Sequence, residues 1–166
     1  SHMDFPYVHT HKPAQLVASW VACEDTNPDA GPLFYYPGSH RLCPKYDFGG
    51  GNLLAHGDGP HIRGFESFLA KKCEELGITP MSFCPQKGDL LIWHSALVHG
   101  GGERNNIDLT RKSIVSHYST LAAYPRERRH ISPVPKVKKL GNGFYYELLQ
   151  EGHVEGLYPC NLNSAE

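Results

Sequence analysis

Glycine and proline divide this chain into short apolar runs, and this division limits the folds that it can adopt. The sequence has 17 glycines and 13 prolines, which interrupt stretches too short to form several long helices. The pattern is typical of an antiparallel β protein with frequent turns. We predict strands at about 5–9, 15–23, 32–37, 81–84, 89–93, 97–99 and 111–119.

Two segments carry a helical pattern instead. Between Gly64 and Gly77, apolar residues recur at spacings of three and four, and Gly77 is suited to a helix C-terminus. We predict a helix there and a second one through Phe144–Glu151.

Length and charge indicate one domain without a strong preference for charged partners. The 166 residues suffice for one core. We predict a single domain over 1–166, with its core in 1–120 and a basic loop and C-terminal extension in 121–166. Because 16 lysines and arginines nearly balance 17 acidic residues, nucleic acid is an unlikely partner. Segment 126–139 is basic but lacks interleaved aromatic residues, so a solvated loop is favoured over a binding patch.

Cysteines and apolar runs bear on the compartment of the chain. The five cysteines are scattered and include no C-x-x-C pair, which favours a reducing compartment such as the cytoplasm. No apolar run approaches the length of about 20 residues that a membrane span needs, and we predict no membrane association and no leader. The cysteines are Cys23, Cys43, Cys73, Cys84 and Cys160.

The segment from Gly88 to Gly102, followed by Arg111, carries the strongest functional signal. It predicts a strand with a histidine, a glycine-rich turn and a strand with a guanidinium. On an unbroken strand His94 and His99 would point to opposite faces, and we predict a structural role for His94. His99 is favoured as the functional residue because the glycines after it let the backbone approach a ligand. A buried arginine needs an anion, and a bound carboxylate would supply one.

Strand alternation places a second histidine with Arg111. In segment 111–119, Arg111 and His117 share one face, because they are an even number of positions apart. If Arg111 lines a ligand cavity, His117 does so too, and we predict that both contribute to a cofactor site.

A metal site that uses His99 needs a second histidine and a carboxylate close together. One residue separates His2 from Asp4, so an extended chain places both on the same side. His9 and His11 form a rival pair on the same principle. Because Ser-His-Met is also what a cleaved purification tag leaves, the sequence alone keeps both alternatives open.

Five motifs occur in a fixed order along the chain. They are His2-Met3-Asp4, the strand from Ser19 to Asp25 that contains Trp20, the Gly31–His40 stretch ending in Pro-Gly-Ser-His, the Gly88–His99 strand and Arg111-Lys112. In this order and spacing they resemble the phytanoyl-CoA dioxygenase family of non-haem iron oxygenases. The resemblance runs from His2 to about Ser119.

The resemblance implies a mainly β fold, a double-stranded β-helix of the jelly-roll or cupin-like type with one or two flanking helices. Family members extend upstream of the iron motif, and the sequence leaves open whether this chain lacks those N-terminal elements. It also implies that His2, Asp4 and His99 form the catalytic centre and ligate Fe(II). Arg111 would pair with the distal carboxylate of 2-oxoglutarate. Trp20 matches an aromatic residue that lines the cosubstrate pocket.

The activity implied by the resemblance is hydroxylation of a small organic substrate by dioxygen, with decarboxylation of 2-oxoglutarate to succinate. Asp4 in the carboxylate position favours hydroxylation over halogenation. One departure concerns Gly101, because some members have there a serine that also binds 2-oxoglutarate.

Two other functions remain open. One is a cupin-type metal enzyme that uses His9, His11 and His99 without 2-oxoglutarate, although the chain lacks a glutamate shortly after His11. The other, from a different class, is an inactive barrel that serves as a binding module.

Two conspicuous polar motifs are interpreted as structural. The turn from Pro37 to Arg41 has residues that set a bend, and Ser39 or His40 can satisfy the turn backbone. Glu24 and Asp25 precede an Asn-Pro turn, where solvation or capping is the expected role.

Overall fold

A computed structural model of the chain describes residues 1–4, 15–42, 60–120, 123 and 137–146. The chain divides into two compact units, Ser1–Tyr124 and Pro125–Glu166, and a single domain over the whole chain stays a prediction. The elements are β1 (Leu16–Ala22), β2 (Leu33–Tyr35), α1 (Pro60–Glu75), β3 (Met81–Phe83), β4 (Leu90–His94), β5 (His99–Gly101), β6 (Ser113–Ser119), β7 (Val137–Leu140) and β8 (Gly143–Tyr146).

The first sheet has the order β4-β1-β6 and is antiparallel throughout. Along β1 the side chains of Ala18 and Trp20 are buried, while Val17 in the same strand is 39% exposed. Residues opposite each other share a face, so the register places Trp93 and His117 beside Ala18 on the inner side. The sheet therefore presents an indole and an imidazole toward the interior.

The second sheet, β3-β2-β5, faces the first across an apolar core. Trp20 of the first sheet meets Phe83 of the second edge to face, with ring centroids 5.8 Å apart. A buried cluster joins residues of both sheets: Ala18, Trp20, Ala22, Leu33, Trp93 and Leu97. Two facing antiparallel sheets confirm the predicted double-stranded β-helix.

The predicted helix between Gly64 and Gly77 is confirmed as α1, which begins four residues earlier at Pro60. Proline is favoured in the first turn of a helix because a backbone N–H at that position would have no partner within the helix. Gly77 has φ 66° and ends the helix, since the amide of Ile78 donates to the carbonyl of Cys73 at 2.9 Å. The buried stripe of α1 packs against two residues near the chain's histidine motifs, Met3 and Val98.

The predicted second helix is wrong where the structure describes it. Gly143–Tyr146 forms β8, which pairs with β7 around a tight turn at Gly141 and Asn142. Gly141 has φ 57°, a conformation that two-residue hairpin turns require and that glycine adopts without strain. Turn chemistry thus overrides the helical spacing of the apolar residues. The predicted strand at 5–9 and most of the basic segment, 126–136, lie outside the described residues.

Candidate metal centre

The N-terminal segment is held against the start of β5 by backbone hydrogen bonds. The amide of His2 donates to the carbonyl of His99 at 2.8 Å, and the amide of His99 donates to the carbonyl of His2 at 2.9 Å. The amide of Asp4 donates to the carbonyl of Ser95 at 2.8 Å. Met3 points to the opposite side, where it is fully buried against α1. The alternation of an extended segment therefore directs His2 and Asp4 to the same side, next to His99.

The side chains of His2, Asp4 and His99 bring three potential metal ligands together. One nitrogen or oxygen atom from each lies within 4.8 Å of the other two. The Oδ1 atom of Asp4 lies 3.7 Å from His2 Nε2 and 3.5 Å from His99 Nε2. Atoms that each bind one ion at about 2.0–2.2 Å must lie within about 4.4 Å of each other, so these two separations fit a shared ion.

The side-chain hydrogen bond of His99 leaves its Nε2 atom free to accept a metal ion. Its Nδ1 atom lies 2.9 Å from the carbonyl oxygen of Leu97. A carbonyl only accepts, so Nδ1 carries the proton, and in the neutral ring Nε2 has the free lone pair. A fixed tautomer of this kind is typical of metal-ligating histidines.

His2 is also kept neutral. Its pKa falls from 6.5 to about 4 because burial disfavours the imidazolium, and the neighbouring His99 adds to the decrease, while Asp4 opposes it. A neutral imidazole at physiological pH is the form that binds a metal.

The second oxygen of Asp4 has two neighbours of its own. Trp93 Nε1 donates to Oδ2 at 2.8 Å, and His117 Nε2 lies 3.6 Å from the same atom. Burial by itself would raise the pKa of Asp4, but the contact with His117, the electrostatic influence of His99 and the Trp93 hydrogen bond together lower it. The side chain is therefore a carboxylate at neutral pH, although it is only 6% exposed.

The strand that carries the histidines is not continuous. The chain leaves the first sheet after His94 and enters the second at His99, so the expectation of opposite faces on one unbroken strand does not apply. His94 Nδ1 accepts from the amide of Ala96 at 3.1 Å, a turn contact that fits the predicted structural role. The buried Ser39 hydroxyl accepts from the amide of Val98 at 2.8 Å, so it holds the residue before β5 and not the turn backbone, and the structural interpretation of the Pro37–Arg41 turn stays a prediction.

Two of the three glycines after His99 make room for neighbours of β5 and not for a ligand. A Cβ atom on Gly100 would lie 2.8 Å from Cζ of Phe34, and one on Gly102 would lie 2.9 Å from the carbonyl oxygen of Pro32. The argument that these glycines let the backbone approach a ligand therefore does not apply to Gly100 and Gly102, and it stays a prediction for Gly101.

Arg111 lies beside Gly101. A Cβ atom built there would be 3.9 and 4.0 Å from the two terminal nitrogens of the guanidinium. Gly101 and His99 are two positions apart in β5, so Arg111 lies on the side of the strand to which His99 points. Burial lowers the pKa of Arg111. Among the described residues, no carboxylate lies within ion-pairing distance of its guanidinium.

Glu24 contacts both neighbours of Arg111, the side-chain hydroxyl of Thr110 and the backbone amide of Lys112. Its Oε1 atom accepts from the Thr110 hydroxyl at 2.7 Å and from the Lys112 amide at 2.8 Å. These bonds lower the pKa of Glu24. The sequence interpretation of Glu24 as a solvated or turn-capping residue overlooked this role, because partners 86 and 88 positions away leave no local pattern.

The remaining predicted residues have mixed outcomes. The structure places Trp20 in the core between the sheets, and a role in lining a cosubstrate pocket stays a prediction. His117 lies near Asp4 and not beside Arg111 in any described contact. Trp93 was missed, although strand alternation could have found it: the residue before His94 must face the other side, toward the core. His9 and His11 lie outside the described residues.

Comparison with known proteins gives consistent results. The family model for phytanoyl-CoA dioxygenase (PhyH) matches residues 1–113. The peroxisomal phytanoyl-CoA dioxygenases of Homo sapiens and Bos taurus are 28% and 29% identical over 125 and 124 residues, which are 72% and 71% of this chain. Each match covers 32% of the relative, so the chain spans about a third of the length of these proteins.

Solved structures agree on the fold. The epimerase SnoN, solved with Fe3+, alpha ketoglutarate and nogalamycin RO, matches with a TM-score of 0.54 and 24% identity over 75% of this chain and 43% of that one. The carbocyclase SnoK from nogalamycin biosynthesis matches with a TM-score of 0.53 and 21% identity over 74% and 43%. Since the family match extends over more than half of its residues, the chain belongs to the phytanoyl-CoA dioxygenase family.

Proposed function

We propose that this chain is an Fe(II)- and 2-oxoglutarate-dependent dioxygenase domain that hydroxylates a small organic substrate. The observation that carries the proposal is the convergence of His2, Asp4 and His99, whose ligand atoms lie within 4.8 Å of one another. Two imidazoles and one carboxylate are the donor set of non-haem iron oxygenases. The protonation states fit as well, because His2 is neutral and Asp4 ionised.

Arg111 is the proposed anchor for the distal carboxylate of 2-oxoglutarate. Its guanidinium lies by Gly101 on the His99 side of β5, and its partial burial would be costly without an anion. A planar guanidinium can hold a carboxylate with two parallel hydrogen bonds. Trp20 and His117 are proposed as further residues of the cosubstrate site, Trp20 by its place between the sheets and His117 by its place beside Asp4.

The residues divide the work. When bound, Fe(II) and 2-oxoglutarate supply the oxidation of a substrate C–H bond by dioxygen, and 2-oxoglutarate leaves as succinate and CO₂. His2, Asp4 and His99 would hold the metal, and a site with three protein ligands would leave positions for the cosubstrate and dioxygen. Arg111 orients the cosubstrate, and the apolar core around Trp20 excludes water from the inner side of the centre.

The proposal includes a reducing compartment for this chain. Cys23, Cys73 and Cys84 are free thiols, which supports a reducing environment such as the cytoplasm. The curated relatives are named peroxisomal. None of the described helices combines the length and the apolar character needed to cross a membrane.

The test uses the purified chain, first with Co(II) as an oxygen-insensitive probe and then with Fe(II), 2-oxoglutarate and dioxygen. We expect one Co(II) per chain, 2-oxoglutarate binding that depends on the metal, and Fe(II)-dependent formation of succinate. Metal binding without 2-oxoglutarate binding would overturn the proposal in favour of the cupin-type enzyme. If the chain binds neither the metal nor 2-oxoglutarate, the proposal is overturned in favour of the binding module.

A further inference from the structure

We propose that Trp93 is a positioning residue that fixes the carboxylate of Asp4, so that Oδ1 faces the metal position and Oδ2 is held away from it. The inference deepens the proposed function and rests on its metal site. The hydrogen bond from the indole N–H would thus determine which oxygen of the Asp4 carboxylate binds the metal.

The geometry divides the two oxygens of Asp4 between different partners. Oδ1 is the atom near Nε2 of both His2 and His99, at 3.7 and 3.5 Å. Oδ2 accepts the hydrogen bond from Trp93 Nε1 at 2.8 Å. The indole N–H is a donor only, so it can hold an oxygen but cannot compete for the ion.

Trp93 is itself held in place by the sheet and the core. It lies opposite Ala18 in the β1–β4 register, belongs to the buried cluster between the sheets and is 6% exposed. Its ring also packs against the ring of His99, with centroids 4.9 Å apart and planes tilted by 55°. One rigid side chain therefore touches two of the three proposed ligands.

His117 does not replace this contact. Its Nε2 atom lies 3.6 Å from Oδ2, longer than a hydrogen bond, and its side chain is 34% exposed. The Trp93 hydrogen bond to Oδ2, at 2.8 Å, is the shorter of these two contacts and is within normal length.

The consequence concerns the number of open positions at the metal. A carboxylate that is free to rotate can bind one ion with both oxygens. With Oδ2 held by Trp93, Asp4 occupies one position and leaves room for a chelating cosubstrate and dioxygen. Partners that orient a metal ligand in this way contribute about 10- to 100-fold to metal affinity.

A merely structural role for Trp93 is the alternative, because the ring also fills the core. The sharpest variant carries benzothienylalanine at position 93, which keeps the shape of the indole and replaces only the N–H by sulfur. Trp93→Phe is the genetic counterpart. Phe83→Leu is the matched control, since Phe83 packs against the same cluster without contacting the proposed ligands.

The measurements are the Co(II) affinity of the whole chain without cosubstrate and the thermal stability of the metal-free form. We expect the benzothienylalanine protein to keep the wild-type Tm and to bind Co(II) about 10- to 100-fold more weakly, with Trp93→Phe equally impaired. Phe83→Leu should lower Tm and leave Co(II) affinity unchanged. Wild-type affinity in the benzothienylalanine protein would overturn the inference and leave the metal site standing, whereas a wild-type chain that binds no Co(II) would overturn both.

Discussion

His2 and His99 exchange two backbone hydrogen bonds, 2.8 and 2.9 Å long, although they are far apart in the sequence. The pairing uses only amides and carbonyls, so it does not depend on either imidazole. It also fixes where both side chains begin, and the ring centroids lie 4.3 Å apart. The backbone pairing therefore brings two of the three proposed ligands together.

This pairing predicts that removal of a ligand side chain spares the fold. We expect His99→Ala to abolish Co(II) binding and metal-dependent turnover while the circular dichroism spectrum is retained, because the backbone bonds to His2 remain. His94→Gln is the matched control: it changes a histidine that contacts the turn amide of Ala96. That variant should lose some stability and keep its metal. Equal loss of Co(II) affinity in both variants would contradict the assignment.

A second prediction concerns Arg111. We expect Arg111→Ala to weaken 2-oxoglutarate binding by more than tenfold, because a charge-assisted contact at a partly desolvated site contributes about 2–5 kcal/mol. Arg111→Lys should recover only part of the affinity, since an ammonium cannot reproduce the planar fork. Both variants should bind Co(II) normally. Anaerobic titration of 2-oxoglutarate into Co(II)-loaded protein is the measurement, and unchanged affinity in Arg111→Ala would exclude this residue from the site.

A third prediction follows from the contacts of Glu24. Its carboxylate holds Thr110 and Lys112, the two neighbours of Arg111. We expect Glu24→Ala to weaken 2-oxoglutarate binding several-fold by loosening the backbone that orients Arg111, with Co(II) affinity unchanged. Asp25→Ala is the control, because Asp25 instead accepts from the amide of Lys87 at 2.7 Å. If both variants bind 2-oxoglutarate equally well, Glu24 has no part in orienting Arg111.

Patterns with a short period were predictable from sequence. The predicted strand at 15–23 and the predicted helix between Gly64 and Gly77 follow from spacing alone, and the structure confirms both as β1 and α1. The pair His2 and Asp4 was predictable for the same reason, because one intervening residue places both side chains on one side. The order of motifs identified the family, which the family match confirms.

Contacts between distant segments were not predictable. The Trp93 hydrogen bond to Asp4 and the Glu24 contacts depend on strand register, which no local pattern specifies. The β7–β8 hairpin was missed because a tight turn at Gly141 outweighs the apolar spacing that favoured a helix. Local sequence patterns determine the helices and strands, whereas the site also depends on how distant strands pair with one another.

A fourth prediction concerns the stability of the metal-free protein at acidic pH. The pKa of His2 is about 4 in the folded chain and 6.5 in an ordinary environment, so between these values the unfolded chain binds a proton that the folded chain does not. The free energy of unfolding of the metal-free protein should therefore decrease as pH falls from 6.5 to 4. The lowered pKa of Asp4 adds a further decrease at still lower pH. Urea unfolding at several pH values measures the slope, and His2→Asn should flatten it; identical slopes would contradict the burial of a neutral His2.

The last prediction is a gain of affinity at Gly101. The family resemblance implies a serine at this position in some members that also binds 2-oxoglutarate, and among the described residues a Cβ atom here would meet nothing closer than the Arg111 guanidinium at 3.9 Å. Gly101 is not among the described glycines with positive φ, so a serine can adopt its backbone conformation. We expect Gly101→Ser to fold normally and to tighten 2-oxoglutarate binding by about 0.5–1.5 kcal/mol, roughly two- to tenfold. Gly100→Ser is the control, because its Cβ would lie 2.8 Å from Phe34 and should cost stability without a gain in affinity. Weaker binding in a well-folded Gly101→Ser protein would show that the cosubstrate does not pass between Gly101 and Arg111.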